Sequence, residues 1–179
     1  KKKISKIINL TMIGNINYTK NFINALSFIN NSNYKFIVNI IGNRLGTQIK
    51  YYYNLNESIK NLNSINLKIN IFEKKKSTFI KKILNKTDIF LQPSISEGLS
   101  IALMEAMSME TICLVSNESN ISDIIKNNHN GFVFNLSQKS FNKKIDYINN
   151  LSLIKLNKIK INARQSIIKL KKQNNFHLI

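Results

Sequence analysis

The sequence predicts an α/β domain built on a doubly wound parallel sheet, and three observations carry that expectation. Apolar strand-like runs alternate with helical periodicity from end to end. The runs lack clean two-residue alternation, as strands covered on both faces should. Chain-turning residues close them, at Gly14, Gly42 and Pro93, the single proline. With 179 residues, no internal repeat and no long linker, 1–179 reads as one domain able to bury its own core.

The first run, Lys6 to Ile13, is a strand, and Phe22, Ala25, Leu26 and Ile29 follow it at helical spacing. Tyr34 to Ile41 is the second strand. Gln48 to Leu62 is helical, although Tyr51, Tyr52 and Tyr53 blur its period. Ile65 to Phe72 is a strand and Thr78 to Leu84 a short helix. Asp88 to Gln92 is a strand, Ser100 to Met109 a helix whose Ile101, Leu103, Met104 and Met107 face the core, and Thr111 to Val115 a strand. A short helix over Ile121 to Lys126, a strand over Phe132 to Phe134 and two helices beyond Gln138 complete the chain. In such sheets ligands sit beyond the C-terminal strand ends, at the switch in strand order.

Composition narrows the function classes. Cys113 is the only cysteine, so neither a disulfide framework nor a cysteine metal site forms within one chain, and its apolar strand makes it a core residue. His129 falls in a polar loop and His177 near the C-terminus. No two histidines or acids have metal-ligand spacing, so no bound metal and no cofactor are expected. No apolar run reaches the roughly 18 to 20 residues that span a bilayer. Lys1, Lys2 and Lys3 lead into a strand pattern and not a signal peptide. These features fit a cytoplasmic protein.

The net charge of +18 invites a nucleic-acid reading, but the basic residues are lysines apart from Arg44 and Arg164. Readers of base edges favour Arg and interleave aromatics. The lysine excess runs in parallel with Asn and Ile. Drift in composition, of the kind an AT-rich coding sequence supplies, is therefore the first account of the charge, an anionic membrane surface the second, and nucleic acid is set aside.

Two strand ends carry candidate chemistry. At the first, a strand stops at Gly14 and Lys20 follows six residues later at the start of a helix. Glycine admits close backbone approach, a helix N-terminus offers N–H groups and partial positive charge, and Lys20 adds a full charge. That is a phosphate loop, or equally a strand-to-helix turn with a solvated lysine. At the second, Pro93-Ser94-Ile95-Ser96 leads to Glu97 and Gly98, which open a helix, with Glu105 eight residues after Glu97. Glu97 is placed to accept hydrogen bonds from sugar hydroxyls, and the N–H groups of Gly98 to Ser100 to hold a phosphate. The plainer reading is a helix cap at Glu97 and a surface acid at Glu105.

The segment from Ser96 to Met107 resembles the E-x7-E signature of glycosyltransferase family four, the large retaining GT-B family. Asp88 to Ser94 is similar to that family's preceding strand, Gly14 and Lys20 to its early glycine and lysine, and Asn128 to Phe134 to its late Asn-Gly-apolar segment. The resemblance covers nearly the whole chain in order. It implies the C-terminal, Rossmann-like donor domain of a two-domain GT-B enzyme. The acceptor domain would be supplied by an absent N-terminal half or a separate subunit. It also implies roles. Glu97 holds hydroxyls of the donor sugar and Glu105 those of the ribose. Lys20 and the N–H groups of Leu99 and Ser100 hold the diphosphate, with Gly14, Asn15 and Gly98 lining the approach. Phe72 and Glu73 border the base. Lys20 and Glu97 are the catalytic candidates, for retaining hexosyl transfer from a nucleoside diphosphate sugar. The chain departs from the family at Asn15, where an arginine is usual, at Ser119 and Asn120, where glycines are frequent, and at Asp123, where glutamate is usual. Those departures leave the donor sugar open and keep a degenerate, weakly active enzyme in view; Asn15 and the absent acceptor half keep a non-catalytic sugar-nucleotide-binding subunit as the alternative, with a basic nucleic-acid- or anionic-lipid-binding module behind it.

Overall fold

The computed structural model describes residues 7–62, 65–119, 121 and 124–174. Lys1, Lys2, Lys3, Lys6, Asn120, Asp123 and His177, all named above, lie outside them. Six strands form one parallel sheet: β1 (Ile7–Ile13), β2 (Lys35–Ile41), β3 (Leu67–Phe72), β4 (Ile89–Gln92), β5 (Ile112–Ser116) and β6 (Phe132–Phe134), in the order β3-β2-β1-β4-β5-β6. The order reverses between β1 and β4, whose Leu10 and Thr11 lie opposite Ile89 and Phe90. That pair is the switch point at which doubly wound sheets leave a crevice.

Successive strand side chains point to opposite faces, and here both faces are buried. Ile89, Leu91, Ile112 and Leu114 join one core layer, while Phe90, Cys113 and Val115 join the other. The first layer receives α1 (Phe22–Asn30), α2 (Ile49–Asn61) and α5 (Gln138–Asn150). The second receives α3 (Ser77–Leu84), α4 (Ile101–Ser108) and much of α6 (Leu153–Asn174). Burial pushes the Cys113 thiol far above its ordinary range, as befits a core residue.

Three expectations need correction. The helix after β4 begins at Ile101, because Ser100 is its N-cap and accepts from Leu103 N at 3.4 Å. Glu97 therefore lies in the loop, three residues before the cap, and does not cap the helix. Ile101 is 55% exposed and not a core residue; Ala106 packs inward beside Leu103, Met104 and Met107. Finally, the stretch 121–126 shows a turn rather than a regular helix among its described residues, closed by Ile124 N and Ile125 N on Ile121 O.

Candidate functional site

The crevice between β1 and β4 is closed by bonds that join its two loops. Beyond β1, Asn17 Oδ1 accepts from Lys20 N at 3.1 Å and from Thr19 Oγ1 at 2.9 Å, holding a single 3-10 turn over Tyr18–Lys20. Asn21 follows in the left-handed region, at φ 56°, a conformation Asn tolerates better than most residues. Its Nδ2 donates to Pro93 O at 3.1 Å, and Ile95 N donates to Thr19 O at 2.9 Å. The β1 loop is thereby stapled to the β4 loop.

That staple brings two charges together. Lys20 Nζ lies 2.5 Å from Glu97 Oε1, with the two side chains 19% and 8% exposed. Fully buried Ser94 donates its hydroxyl to the same Oε1 at 2.6 Å. Among the described residues no hydrogen bond reaches Glu97 Oε2. The Lys20 stem crosses the backbone at Gly14, where an added Cβ would stand 2.7 Å from Lys20 Cε. Gly42 is more constrained still, since a Cβ there would stand 1.8 Å from Gly14 O. Only glycine fits where β2's end passes the β1 loop. Lys20 is thus not at the start of α1 but before it, folded back across the strand end.

Side chains from the next strand extend the network. Ser116 Oγ donates to Ser94 O, and Ser119 Oγ to Ser116 O at 2.6 Å. Gln92 Oε1 accepts from Ser100 Oγ at 2.6 Å, while the buried Gln92 Nε2 has no hydrogen-bond partner among the described residues. An orphan buried donor is uncommon. Around Gly98 an added Cβ would meet nothing within 4 Å, and Leu99 is 52% exposed, so this edge of the loop is open.

Among the described residues, the remaining candidates make no hydrogen bond or ion pair with Lys20 or Glu97. Asn15 is exposed. The Phe72 ring packs edge-on against Phe79 at 5.0 Å. Glu73 is held by Tyr52 Oη at 2.9 Å and Arg44 Nε at 3.5 Å, with Arg44 above the Tyr52 ring. Arg44 is carried there by the loop after β2, which bridges to Ile16. Glu105 sits half-buried on the flank of α4. It lines a cavity of about 60 Å³ with Ile80, Lys81, Leu84, Ser108, Met109 and Lys171. Burial raises its carboxyl above the ordinary value of 4.5, and Lys81 opposes that rise. Sequence reasoning missed Ser94, Gln92, Arg44 and Tyr52 as individual site residues. Only the serine-rich composition of the loop hinted at the first.

Comparison with known proteins follows the same outline. The family described as Glycosyl transferases group 1 matches residues 2–166. An Escherichia coli UDP-Gal:alpha-D-GlcNAc-diphosphoundecaprenol alpha-1,3-galactosyltransferase is 38% identical over 58 residues, 32% of this chain and 15% of that protein. The crystal structure of HepE from Anabaena in complex with UDP and glucose superposes with a TM-score of 0.79 at 14% identity, over 95% of this chain and 47% of that one. The C-terminal domain of a glycosyl transferase group 1 family protein from Francisella tularensis gives 0.75 at 18% identity, over 90% and 85%. The chain thus spans under half the length of the first two proteins, and the solved structures bear on its fold alone.

Proposed function

The chain belongs to the Glycosyl transferases group 1 family and has the Rossmann-like fold of GT-B glycosyltransferase structures; on that premise we propose that it is the donor-binding half of a retaining, family-four hexosyltransferase. The observation that carries this reading is the Lys20–Glu97 pair at the β1–β4 switch point. A cation and a hydroxyl-accepting carboxylate, side by side and shielded from water, suit a ligand that joins a diphosphate to a sugar.

In this reading Lys20 and the N–H groups of Leu99 and Ser100 hold the diphosphate, with Gly14, Asn15 and Gly98 lining its approach. Glu97 turns from Lys20 to the donor sugar's hydroxyls. Glu105 holds the ribose, and Phe72 and Glu73 border the base. As the glycosyl bond breaks, charge grows on the leaving diphosphate and Lys20 offsets it, which is electrostatic stabilisation by a preplaced group. No protein-bound metal is required. The acceptor and the rest of the apparatus come from an N-terminal domain or a separate subunit. The whole works in the cytoplasm, peripheral to the inner face of an anionic membrane.

Calorimetry of the 179-residue chain with several nucleoside diphosphates tests the reading. Binding without efficient turnover of a sugar donor is the expected outcome; no heat with any of them at millimolar ligand would sink it. The second reading, a non-catalytic sugar-nucleotide-binding subunit, is favoured by Asn15, which leaves Lys20 without a cationic neighbour at the position next to Gly14. Glycosyl transfer on addition of the acceptor half separates the two.

A further inference from the structure

The last helix, α6, has two apolar faces. Leu156, Ile159, Ala163 and Ile167 are buried against the domain. On the opposite side Ile154, Ile161 and Ile168 are 81%, 48% and 46% exposed. These three recur every seven residues, so they form one row about 21 Å long at 1.5 Å per residue. Lys158, Gln165 and Lys172 occupy the intervening positions of that row, all exposed. The helix carries seven basic residues and no acid.

Lys158 also borders a groove that continues this surface across α5. One lobe, about 340 Å³, is lined by His129, Tyr147, Leu151, Lys155 and Lys158 among others. The adjoining lobe, about 370 Å³, is lined by Asn135, Ser140, Lys143, Lys144 and Tyr147 among others. No carboxylate lines either lobe. The acid nearest in sequence, Asp146, accepts a hydrogen bond from Tyr34 Oη at 2.8 Å. Lys144 lies over the rings of Phe132 and Tyr147 at 5.9 and 5.7 Å. Partial burial and the neighbouring Lys143 both lower its pKa, and an anion in the groove would favour its charged form.

We propose that the outer face of α6, together with the Lys143–Lys144–Tyr147 groove, is the surface by which this chain lies on an anionic lipid bilayer. A partner helix fits less well. A coiled-coil seam needs apolar residues at both of its repeating positions, and here the second is Lys158, Gln165 and Lys172. A bilayer interface accepts that pattern, because lysine stems lie along apolar surface and lift their ammonium groups to the phosphates. Exposed Tyr147, with an apolar body and a polar tip, suits the same depth. The inference specifies the peripheral attachment proposed above and rests on it, but not on glycosyl transfer.

The test is co-sedimentation of the 179-residue chain with vesicles of phosphatidylcholine alone or with about 30% phosphatidylglycerol. Three triple variants are compared, all at exposed or groove-lining positions, with melting curves as the fold control. Ile154→Ser/Ile161→Ser/Ile168→Ser removes the row; Lys143→Gln/Lys144→Gln/Lys158→Gln removes the groove charges; Lys50→Gln/Lys60→Gln/Lys68→Gln removes equal charge elsewhere. The first two should each bind anionic vesicles about tenfold more weakly, and the third less than about threefold. Equal losses for both lysine variants, with none for the isoleucine variant, would overturn the surface assignment while leaving attachment by net charge. Binding to neither vesicle would overturn both. A dimer in sedimentation that the isoleucine variant abolishes would assign the row to a second copy instead.

Discussion

Glu97 and Glu105 stand eight residues apart in one segment, yet the fold treats them differently. Glu97 is 8% exposed and already engaged by Lys20 and Ser94, with both contacts on one oxygen. Glu105 has no hydrogen bond to its carboxylate among the described residues, and faces α3 and α6 across a small cavity. The first acid is preassembled and charge-compensated. The second is half-buried, with burial raising its pKa and the charge of Lys81 lowering it. Motif spacing alone makes the two look equivalent; what separates them is which loops the sheet order brings alongside.

The sharpest way to break that contrast is at Lys20, where the largest effect is expected. In the two-domain enzyme Lys20→Ala should lower the rate of transfer by on the order of 10²–10³-fold, the range seen when one transition-state donor is removed. Calorimetry on the same variant should show diphosphate binding weakened by roughly 1.5–3 kcal/mol and nucleoside binding unchanged. Equal losses for both ligands would show that Lys20 does not touch phosphate.

Glu97→Gln should come next, with effects of opposite sign. Donor kcat/KM should fall roughly ten- to a hundredfold, since one charged hydrogen bond to the sugar is lost. Nucleoside diphosphate alone should bind more tightly, because Lys20 is released from its internal partner. Wild-type donor kinetics would return both acids to structural roles. Ser94→Ala should act in the same direction more weakly. It should lower donor kcat/KM severalfold and melt earlier by about 1 kcal/mol of stability, a typical loss for one buried hydrogen bond. Unchanged donor kinetics with lowered stability would make Ser94 purely structural.

The smallest effect is expected at Glu105, and it should change sign with the ligand. Its carboxyl is raised above 4.5 in the folded chain. It therefore contributes stability fully present below that value and lost as pH rises through the folded value. At neutral pH the ionised side chain is a net cost, so Glu105→Gln should raise Tm of the ligand-free chain and flatten its pH profile above 4.5. In the two-domain enzyme the same change should weaken donor and free nucleoside diphosphate equally, by a few-fold, since both contain ribose. A Tm that falls at neutral pH would remove the desolvation account.

Most of the fold was legible in the sequence because apolar runs on a doubly covered sheet are hard to mistake. Even the three-residue β6 stands out between Gly131 and the polar Asn135. The error at α4 had one cause. Ser100 reads as an ordinary helical residue until its hydroxyl is seen to accept from Leu103 N; Ile101 is then the first residue of the helix, beside the open loop edge at Leu99, and stays exposed. The resemblance gives Lys20 and Glu97 separate roles at one ligand and no contact with each other, and no spacing rule places residues 77 positions apart at 2.5 Å. The assembly of Arg44, Tyr52 and Glu73 was not legible, although Glu73 itself was named. The trio comes from two loops and a helix, and each member looks solvated in isolation.

Gly42 has no side chain to offer a ligand, yet its neighbour across the strand ends is the carbonyl of Gly14, 1.8 Å from where a Cβ would stand. A saturation scan of this chain would therefore rank position 42 beside Lys20 and Glu97, for a reason that is wholly geometric. Any substituent pushes the β1 loop outward, and the lysine anchored on that loop travels with it. Loss of activity at such a position reports the width of a gap and says nothing of chemistry. Restoring it would take a compensating change in backbone path and not a better-chosen side chain.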